Sequence, residues 1–200
     1  MEINPFDQPD VEAAKIEARK ITDAFEKSGK LPDEKPFFEE NGISLFSSVE
    51  YAAALSNVVE EKSLSSFLEA HLWNIAENDY FAILAYIEMD TDHEQILQQI
   101  RTQVLEHYSV ATCVGFGPRF LHSTGQAYKG GANNGVFLQI TSGDEVDVPV
   151  PDQKYTFGVV KSAQARGDFQ VLIDRGRRAL RVHINNDVEA GLQTILSSIH

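Results

Sequence analysis

Apolar positions along the chain change spacing several times after about residue 63. The unbroken apolar run 80–87 is typical of a strand covered on both faces, as in a parallel sheet, and three further apolar-rich segments predict buried strands as well. The four segments span 80–87, 110–116, 136–141 and 179–184. Apolar residues at helical spacing predict helices around them, at 64–75, 93–108, 157–166, 169–175 and 188–198. Leu105 is expected to face inward, Gly167 to end the helix at 157–166, and Asp168 to cap the next one. Strands that alternate with helices predict an α/β fold, a three-layer αβα arrangement with a mainly parallel sheet.

One alternative fold fits the same pattern. A ferredoxin-like α+β plait has the element order β-α-β-β-α-β. The chain would fit that order if residues 118–130 formed only a hairpin loop.

The first third of the chain follows a looser pattern. Apolar residues from Val11 to Phe25 predict a helix over 9–27 that ends before Gly29. A short strand is predicted at 43–46 and a short helix at 49–55. The sequence therefore predicts three parts, which are a terminal helix (1–30), a linker with short elements (31–62) and an α/β domain (63–200).

Composition narrows the classes of partner. The chain has 200 residues, of which 42% are apolar, and a formal net charge of -13. This acidity argues against a nucleic-acid or anionic-membrane surface. The single cysteine, Cys113, excludes a disulfide framework and a cysteine zinc cluster, and it fits a reducing compartment. With no apolar span of ~18 residues, we expect a cytoplasmic protein.

Two segments carry candidate chemistry. Gln8 and Lys15 stand two helical turns apart, so both can point at one polar ligand, and the lysine could hold a phosphate or pass a proton. The glycine-rich loop 115–135 follows a buried strand, where α/β sheets bind ligands. Its polar side chains could cradle a phosphate, and His122 could act as an acid or base. These side chains are Arg119, His122, Ser123, Thr124, Gln126 and Lys129.

No metal or other cofactor is expected. Asp90, Asp92 and His93 lack a regular ligand spacing, and the sequence favours a helix cap there. The loop is not a P-loop, because the G-x-x-x-x-G-K-[ST] spacing is absent.

The segment FDQPDVEAAK (6–15) resembles the carboxyl-terminal signature of glucose-6-phosphate isomerases, FDQ-x-G-V-E-x-x-K, with Asp10 where a glycine is usual. The resemblance implies that Gln8 contacts a sugar phosphate and that Lys15 helps to open the sugar ring. The segments GFGPRFLHSTGQAYKGG, GVFLQI, YTFG and RGRRALRVHI resemble the tail of fused transaldolase/glucose-6-phosphate isomerases. The chain is thus expected to be a carboxyl-terminal piece of such an enzyme of glycolysis and gluconeogenesis.

The tail also resembles a second, degenerate sugar-isomerase (SIS-like) half domain. LHSTGQ (121–126) is similar to an LHS-x-GQ segment whose histidine opens the ring, and YTFG (155–158) is similar to a helix start of the same half. The departures matter, because Leu192 stands where the ring-opening lysine belongs. Glu106 is the nearest carboxylate for the proton-transferring base, but its surroundings do not match the family pattern. We therefore expect this piece alone to be inactive.

Two functions follow as hypotheses. The parent protein would interconvert glucose 6-phosphate and fructose 6-phosphate, with Lys15 and His122 in catalysis. The alternative is a non-catalytic module that binds a sugar phosphate or mediates assembly. The expected partners are a sugar phosphate, the rest of the isomerase polypeptide and a second copy in a homodimer. If the first helix lacks its docking partner, residues 1–30 should be mobile or pack against another copy.

Overall fold

A computed structural model describes Asn4 and residues 7–199 of the chain. The first residue of the segment FDQPDVEAAK (6–15) therefore lies outside the described residues. Seven α-helices and six strands are present in the described part. The helices are α1 (Pro9–Ser28), α2 (Val49–Val58), α3 (Leu64–Leu72), α4 (Thr91–Tyr108), α5 (Gly125–Gly130), α6 (Phe157–Asp174) and α7 (Val188–Ser197). The strands are β1 (Phe38–Glu40), β2 (Ile43–Phe46), β3 (Tyr80–Tyr86), β4 (Ala111–Phe116), β5 (Gly135–Ser142) and β6 (Arg178–Ile184).

The strands form a single sheet in the order β1-β2-β6-β5-β3-β4. The four strands predicted from apolar runs, β3 to β6, are mutually parallel, whereas β2 and β1 add an antiparallel edge. The register aligns Leu138 of β5 with Ile83 of β3 and with Leu180 of β6. The parallel pairing confirms the predicted α/β fold and excludes the plait, whose sheet is antiparallel.

Helices cover both faces of the sheet. One face packs its apolar side chains against α2, α3, α4 and α7, and the largest cluster of buried residues lies there. The other face packs against α5 and α6 through a smaller cluster that includes Tyr128 and Phe169. Because α4 and α6 follow neighbouring strands but lie on opposite faces, the chain has a topological switch point between β3 and β5, where open α/β sheets bind ligands.

The predicted linker forms part of this sheet. Phe38–Glu40 and Ile43–Phe46 pair as a hairpin, and the second strand joins β6. Phe37 and Phe38 pack on the ring of Phe67 with centroids 5.4 and 4.8 Å away. The short strand at 43–46 and the short helix after it are confirmed. The predicted linker and the predicted α/β domain therefore share one sheet.

A single helix replaces the two predicted over 157–175. Gly167 is expected from the sequence to end a helix, but it lies inside α6. A Cβ atom there would stand 2.7 Å from the Ala18 backbone nitrogen and 2.8 Å from the Ala14 carbonyl oxygen. Glycine at this position therefore lets α1 cross α6 at close range. Asp168, expected as a cap of the next helix, is instead fully buried within α6.

The expectation that the first helix has lost its docking partner is wrong. Val11 and Ala14 are buried, because α1 packs against α6 and α5 of the same chain. The inward position predicted for Leu105 is also wrong, since this side chain at the end of α4 is 39% exposed.

Candidate functional site

The segment predicted to bind phosphate begins after β4, an edge strand. A short 3₁₀ helix, Arg119–His122, leads into α5. Arg119 and His122 are exposed, and the Arg119 guanidinium donates towards the Met89 sulfur at 3.7 Å. Ser123 and Thr124 are exposed as well, and the Ser123 hydroxyl donates to the Phe120 carbonyl. These four side chains are thus brought to one surface, at the carboxyl edge of the sheet.

Gln126 has a structural contact at the start of α1. Its side-chain oxygen accepts from the Asp10 amide at 3.0 Å, and its Nε2 donates to the Asp10 carboxylate at 2.6 Å. Arg175 donates to the other oxygen of this carboxylate at 2.6 Å. An amide that accepts from the free N–H groups of a first helical turn acts as a helix cap. Gln126 therefore holds the first turn of α1 against α5 through these hydrogen bonds.

Lys129 does not face the predicted ligand surface. Its side chain is 1% exposed, and its ammonium group contacts the carboxylate of Asp168, which is 0% exposed. The lysine also donates to the Gly125 carbonyl at 3.3 Å. A phosphate outside the loop cannot reach this buried ammonium group in the described arrangement.

Gln8 and Lys15 lie exposed on α1. Gln8 is the residue before the first turn and makes no capping hydrogen bond through its side chain. The Lys15 ammonium group pairs with the Glu12 carboxylate at 2.6 Å, and both side chains are more than half exposed. Both side chains are therefore open to solvent.

Glu106 and His122 lie at opposite ends of strand β4. Glu106 stands near the end of α4, where the chain enters the amino end of β4. His122 follows the carboxyl end of the same strand. The structure therefore does not bring this carboxylate to the histidine.

A cleft of about 280 Å³ opens beside the switch point. Tyr86, Ser142 and His183 line it from the carboxyl ends of β3, β5 and β6. Helix α6 and the segment that joins α1 to β1 form its other walls. Its charged lining residues are Lys161, Arg166, Arg181, Asp33 and Glu34. In a chain of net charge -13, the three cations of this cleft outnumber its two carboxylates.

Arg181 is the fixed cation of the cleft. Its side chain is 4% exposed, and its guanidinium carbon lies 4.2 Å from the ring centre of Phe46 and 5.2 Å from that of Phe169. Such cation–π contacts stabilise a desolvated guanidinium and fix its plane. Burial lowers the pKa of Arg181, and the neighbouring Glu34 carboxylate raises it.

One carboxylate joins the two arginines of the cleft. Glu34 accepts from Arg181 Nη2 at 2.8 Å through Oε1 and from Arg166 Nε at 2.7 Å through Oε2. Arg166 Nη1 also donates to the Pro32 carbonyl at 2.7 Å. The two guanidinium groups thus face a common anion site, and the Glu34 carboxylate of the same chain occupies it.

His183 completes the polar lining. The hydroxyl of Thr141 on the neighbouring strand lies 2.9 Å from His183 Nδ1. Burial lowers the pKa of His183 below its usual value, and the charges of Arg181 and Arg166 lower it further. The imidazole is therefore held neutral near pH 7, which suits a hydrogen bond to a polar ligand.

A buried pair lies behind the cleft. Asp168, the partner of Lys129, also faces the hydroxyl of Tyr86, a residue that lines the cleft. Burial raises the pKa of Asp168, and the Lys129 ammonium opposes this shift. Tyr86 therefore contributes both to the cleft lining and to the surroundings of this pair.

An acidic groove of about 1100 Å³ adjoins the cleft and shares Ser142 and Lys161 with it. Its carboxylates come from Glu88, Asp90, Asp144, Glu145, Asp187 and Glu189. Among the described residues, no group of three or more histidine, cysteine, aspartate or glutamate side chains could hold a metal ion. Asp90 caps α4 by accepting from the His93 amide at 2.8 Å, which confirms the predicted cap.

Sequence reasoning missed the cleft, although β6 carries a signal for it. In ALRVHI (179–184), Leu180, Val182 and Ile184 point to the larger core, whereas Arg181 and His183 alternate with them. Polar residues at every second position of a strand that is flanked on both faces indicate a polar opening on one face. The apolar content of the run predicts only a uniformly buried strand and hides this alternation.

Comparisons with known proteins add the fold alone. No family model matches the chain, and no curated protein matches it. A hypothetical protein from Thermus thermophilus, TT0462, is similar in structure, with a TM-score of 0.58 and 13% sequence identity. The similarity covers 75% of this chain and 41% of that protein. Within residues 7–199, no helix has the length and apolar content needed to cross a bilayer.

Proposed function

We propose that this chain binds a sugar phosphate in the cleft beside β5 and β6 and does not itself isomerise it. The observation that carries this proposal is the buried, aromatic-stacked Arg181 in the middle of β6, which lines the cleft together with Arg166 and shares the Glu34 carboxylate with it. Arginine forks match the geometry of phosphate oxygens, and a low-dielectric wall strengthens the contact.

The rest of the cleft suits the sugar. Thr141, Ser142 and Ser162 provide hydroxyl groups, and neutral His183 provides a hydrogen-bonding ring nitrogen. Lys161 adds a third cation at the rim, where it pairs with Asp144. A small, polar, positively lined cleft in an acidic protein selects a small anion over a polyanionic surface such as nucleic acid.

The proposed lack of turnover rests on where the candidate groups lie. Aldose–ketose isomerisation needs a base within hydrogen-bond reach of the carbon-bound proton. Glu106 is near the amino edge of the sheet, whereas His122 is at the carboxyl edge. Leu192, at the position that the resemblance gives to a ring-opening lysine, is fully buried.

A second proposal concerns the parent protein. We propose that the chain is the carboxyl-terminal portion of a cytoplasmic glucose-6-phosphate isomerase, to whose active site α1 contributes Gln8 and Lys15. The exposure of both side chains favours this role, because neither is used inside the described fold beyond the exposed pair of Lys15 with Glu12. The SIS-like ancestry of the tail is part of the same proposal.

The test is a titration of the purified chain with glucose 6-phosphate, fructose 6-phosphate and unphosphorylated glucose, followed by calorimetry. We expect both phosphates to bind and glucose to bind at least about tenfold more weakly, since an arginine–phosphate pair contributes on the order of 1.5–3 kcal/mol. Arg166→Gln should weaken the binding of both phosphates. The matched control, Arg19→Gln, changes an exposed arginine outside the cleft and should leave it unchanged.

A coupled isomerase assay on the same preparation distinguishes binding from catalysis. Binding without conversion supports the binding module. Conversion of glucose 6-phosphate well above background would contradict the non-catalytic proposal, and equal binding of glucose and its phosphate would contradict the arginine site. Lys15→Gln in the parent isomerase should lower turnover, whereas in this piece it should leave phosphate binding unchanged.

A further inference from the structure

The carboxylate in the cleft and the cations that it touches differ in how firmly they are held. Arg181 is fixed by the rings of Phe46 and Phe169 and is 4% exposed. Glu34 is 32% exposed and belongs to the irregular segment that joins α1 to β1, in which residues 32–35 are exposed. The cation is therefore part of the core, whereas its carboxylate partner is attached to a surface segment.

Glu34 is placed as an external ligand would be. It spans two guanidinium groups with one oxygen on each, at 2.7 and 2.8 Å. Phosphate oxygens make the same kind of contact, and a phosphomonoester carries more charge at pH 7 than one carboxylate. The segment also contributes Leu31, Pro32 and Asp33 to the cleft wall, so moving it would widen the cleft from one side.

The energetic balance favours exchange over permanent closure. A partly exposed ion pair contributes little net stability, because water can replace much of it. A buried arginine left without any anion is costly. Exchange of Glu34 for another oxyanion avoids that cost, since Arg181 keeps a partner throughout and Glu34 is hydrated outside the cleft.

We propose that Glu34 is an internal occupant of the anion subsite formed by Arg166 and Arg181, and that the phosphate group of a ligand binds there by displacing it. This inference rests on the proposed binding function, and it assigns the phosphate to one end of the cleft. The sugar then lies towards Thr141, Ser142 and His183. The segment 31–34 acts as a competitor built into the chain, so the affinity for phosphate is lower than that of the bare subsite.

The test is a titration of the full chain and of two variants with inorganic phosphate and with glucose 6-phosphate. Glu34→Gln removes the competing charge, and we expect it to raise both affinities about tenfold, since displacement then no longer opposes binding. Glu26→Gln is the matched control, because it makes the same change of charge at an exposed residue of α1 that is not part of the cleft lining. It should change affinity by less than about twofold, through long-range charge alone.

A second readout follows the segment itself. Phosphate added to the unmodified chain should lower the ¹⁵N heteronuclear NOE of the amides at residues 33–35, because the segment leaves the cleft and becomes less ordered, while the values for β6 stay unchanged. Arg166→Gln should reduce both the phosphate affinity and this response to phosphate.

The outcomes separate the two proposals. If Glu34→Gln and Glu26→Gln have the same effect, or if Glu34→Gln weakens binding, the proposal that Glu34 occupies the subsite is overturned while the binding function stands. If phosphate binds but the heteronuclear NOE of residues 33–35 does not fall, displacement of the segment is likewise overturned. If neither phosphate nor glucose 6-phosphate binds to any of the three proteins, both proposals are overturned.

Discussion

Two buried cations on the α6 side of the sheet are paired with carboxylates in different ways. Lys129 and Asp168 are both inaccessible, and both belong to helices of the core. Arg181 is nearly as buried, but its partner Glu34 projects from an exposed segment between two elements. The pairs share the same chemistry and differ in whether the anion can leave.

The difference separates a structural ion pair from an exchangeable one. An anion that is buried with its cation cannot be replaced from solvent, and removing either partner strands a charge in a low dielectric. An anion that reaches a buried cation from outside can be replaced by any oxyanion of suitable geometry. The position of the carboxylate on the fold therefore indicates which cation is available to a ligand.

The largest effect expected from this comparison is on folding stability. Lys129→Met should lower the free energy of unfolding by about 3–5 kcal/mol, because the Asp168 carboxylate is left buried without a counter-charge. Urea denaturation measures this loss. The double variant Lys129→Met/Asp168→Leu should recover most of it, since both charges are then absent.

The matched control for this measurement is Lys154→Met at an exposed position, expected to change stability by less than about 0.5 kcal/mol. A loss of the same small size for Lys129→Met would show that the buried pair contributes no more than a surface pair. The structural role assigned to Lys129 would then be incorrect, and the predicted role of Lys129 in binding phosphate would have to be considered again.

On the opposite face of the sheet, the buried ionisable group is His71, which is uncharged in the folded chain near pH 7. Burial lowers the pKa of His71 from 6.5 to about 3, and Tyr51 OH lies 3.0 Å from its Nδ1. Between these pH values the unfolded chain binds a proton that the folded chain does not. Stability should thus fall as the pH drops below about 6.5, by up to about 1.4 kcal/mol per pH unit.

Urea midpoints between pH 7 and pH 5 check this slope. His71→Gln should flatten it, whereas His107→Gln, at an exposed position, should not. His183, whose pKa is also lowered, adds to the slope in the same direction. A slope that is unchanged in His71→Gln would mean that another group governs acid sensitivity.

The smallest expected effect is at the exchangeable pair. In the presence of saturating phosphate, Glu34→Gln should lower the free energy of unfolding by less than about 1 kcal/mol, because phosphate then pairs with Arg181 in place of the carboxylate. A loss as large as that of Lys129→Met would make the two pairs equivalent. It would also argue that the segment 31–34 is a fixed part of the core.

The fold was predictable where the pattern of apolar residues is local. The four parallel strands, α4 and α7 all follow from runs and spacings that a strand or helix buried on known faces must have. The prediction was wrong at Gly167, which the sequence favours as a helix end. The reason for a glycine there is the backbone of α1 at residues 14 and 18, and nothing near Gly167 in the sequence shows that contact.

The site was predicted less well, because residue type does not show which polar group is already engaged. Gln126 and Lys129 stand in a loop that resembles a phosphate cradle. Their partners, Asp10 and Asp168, are 116 and 39 positions away. Arg181 and Glu34 were missed for the converse reason, since one lies in an apolar-looking strand and the other in a segment predicted to be a linker.

The sequence by itself determined the α/β class, the order of the four parallel strands, the acidic charge and the absence of a disulfide framework, because each depends on composition or on neighbours along the chain. Only the tertiary structure decided that α1 belongs to this fold, that Lys129 is buried, and that Arg166 and Arg181 share one carboxylate. These depend on contacts between residues far apart along the chain. Burial, which sets the charge state and availability of a side chain, is a property of those contacts.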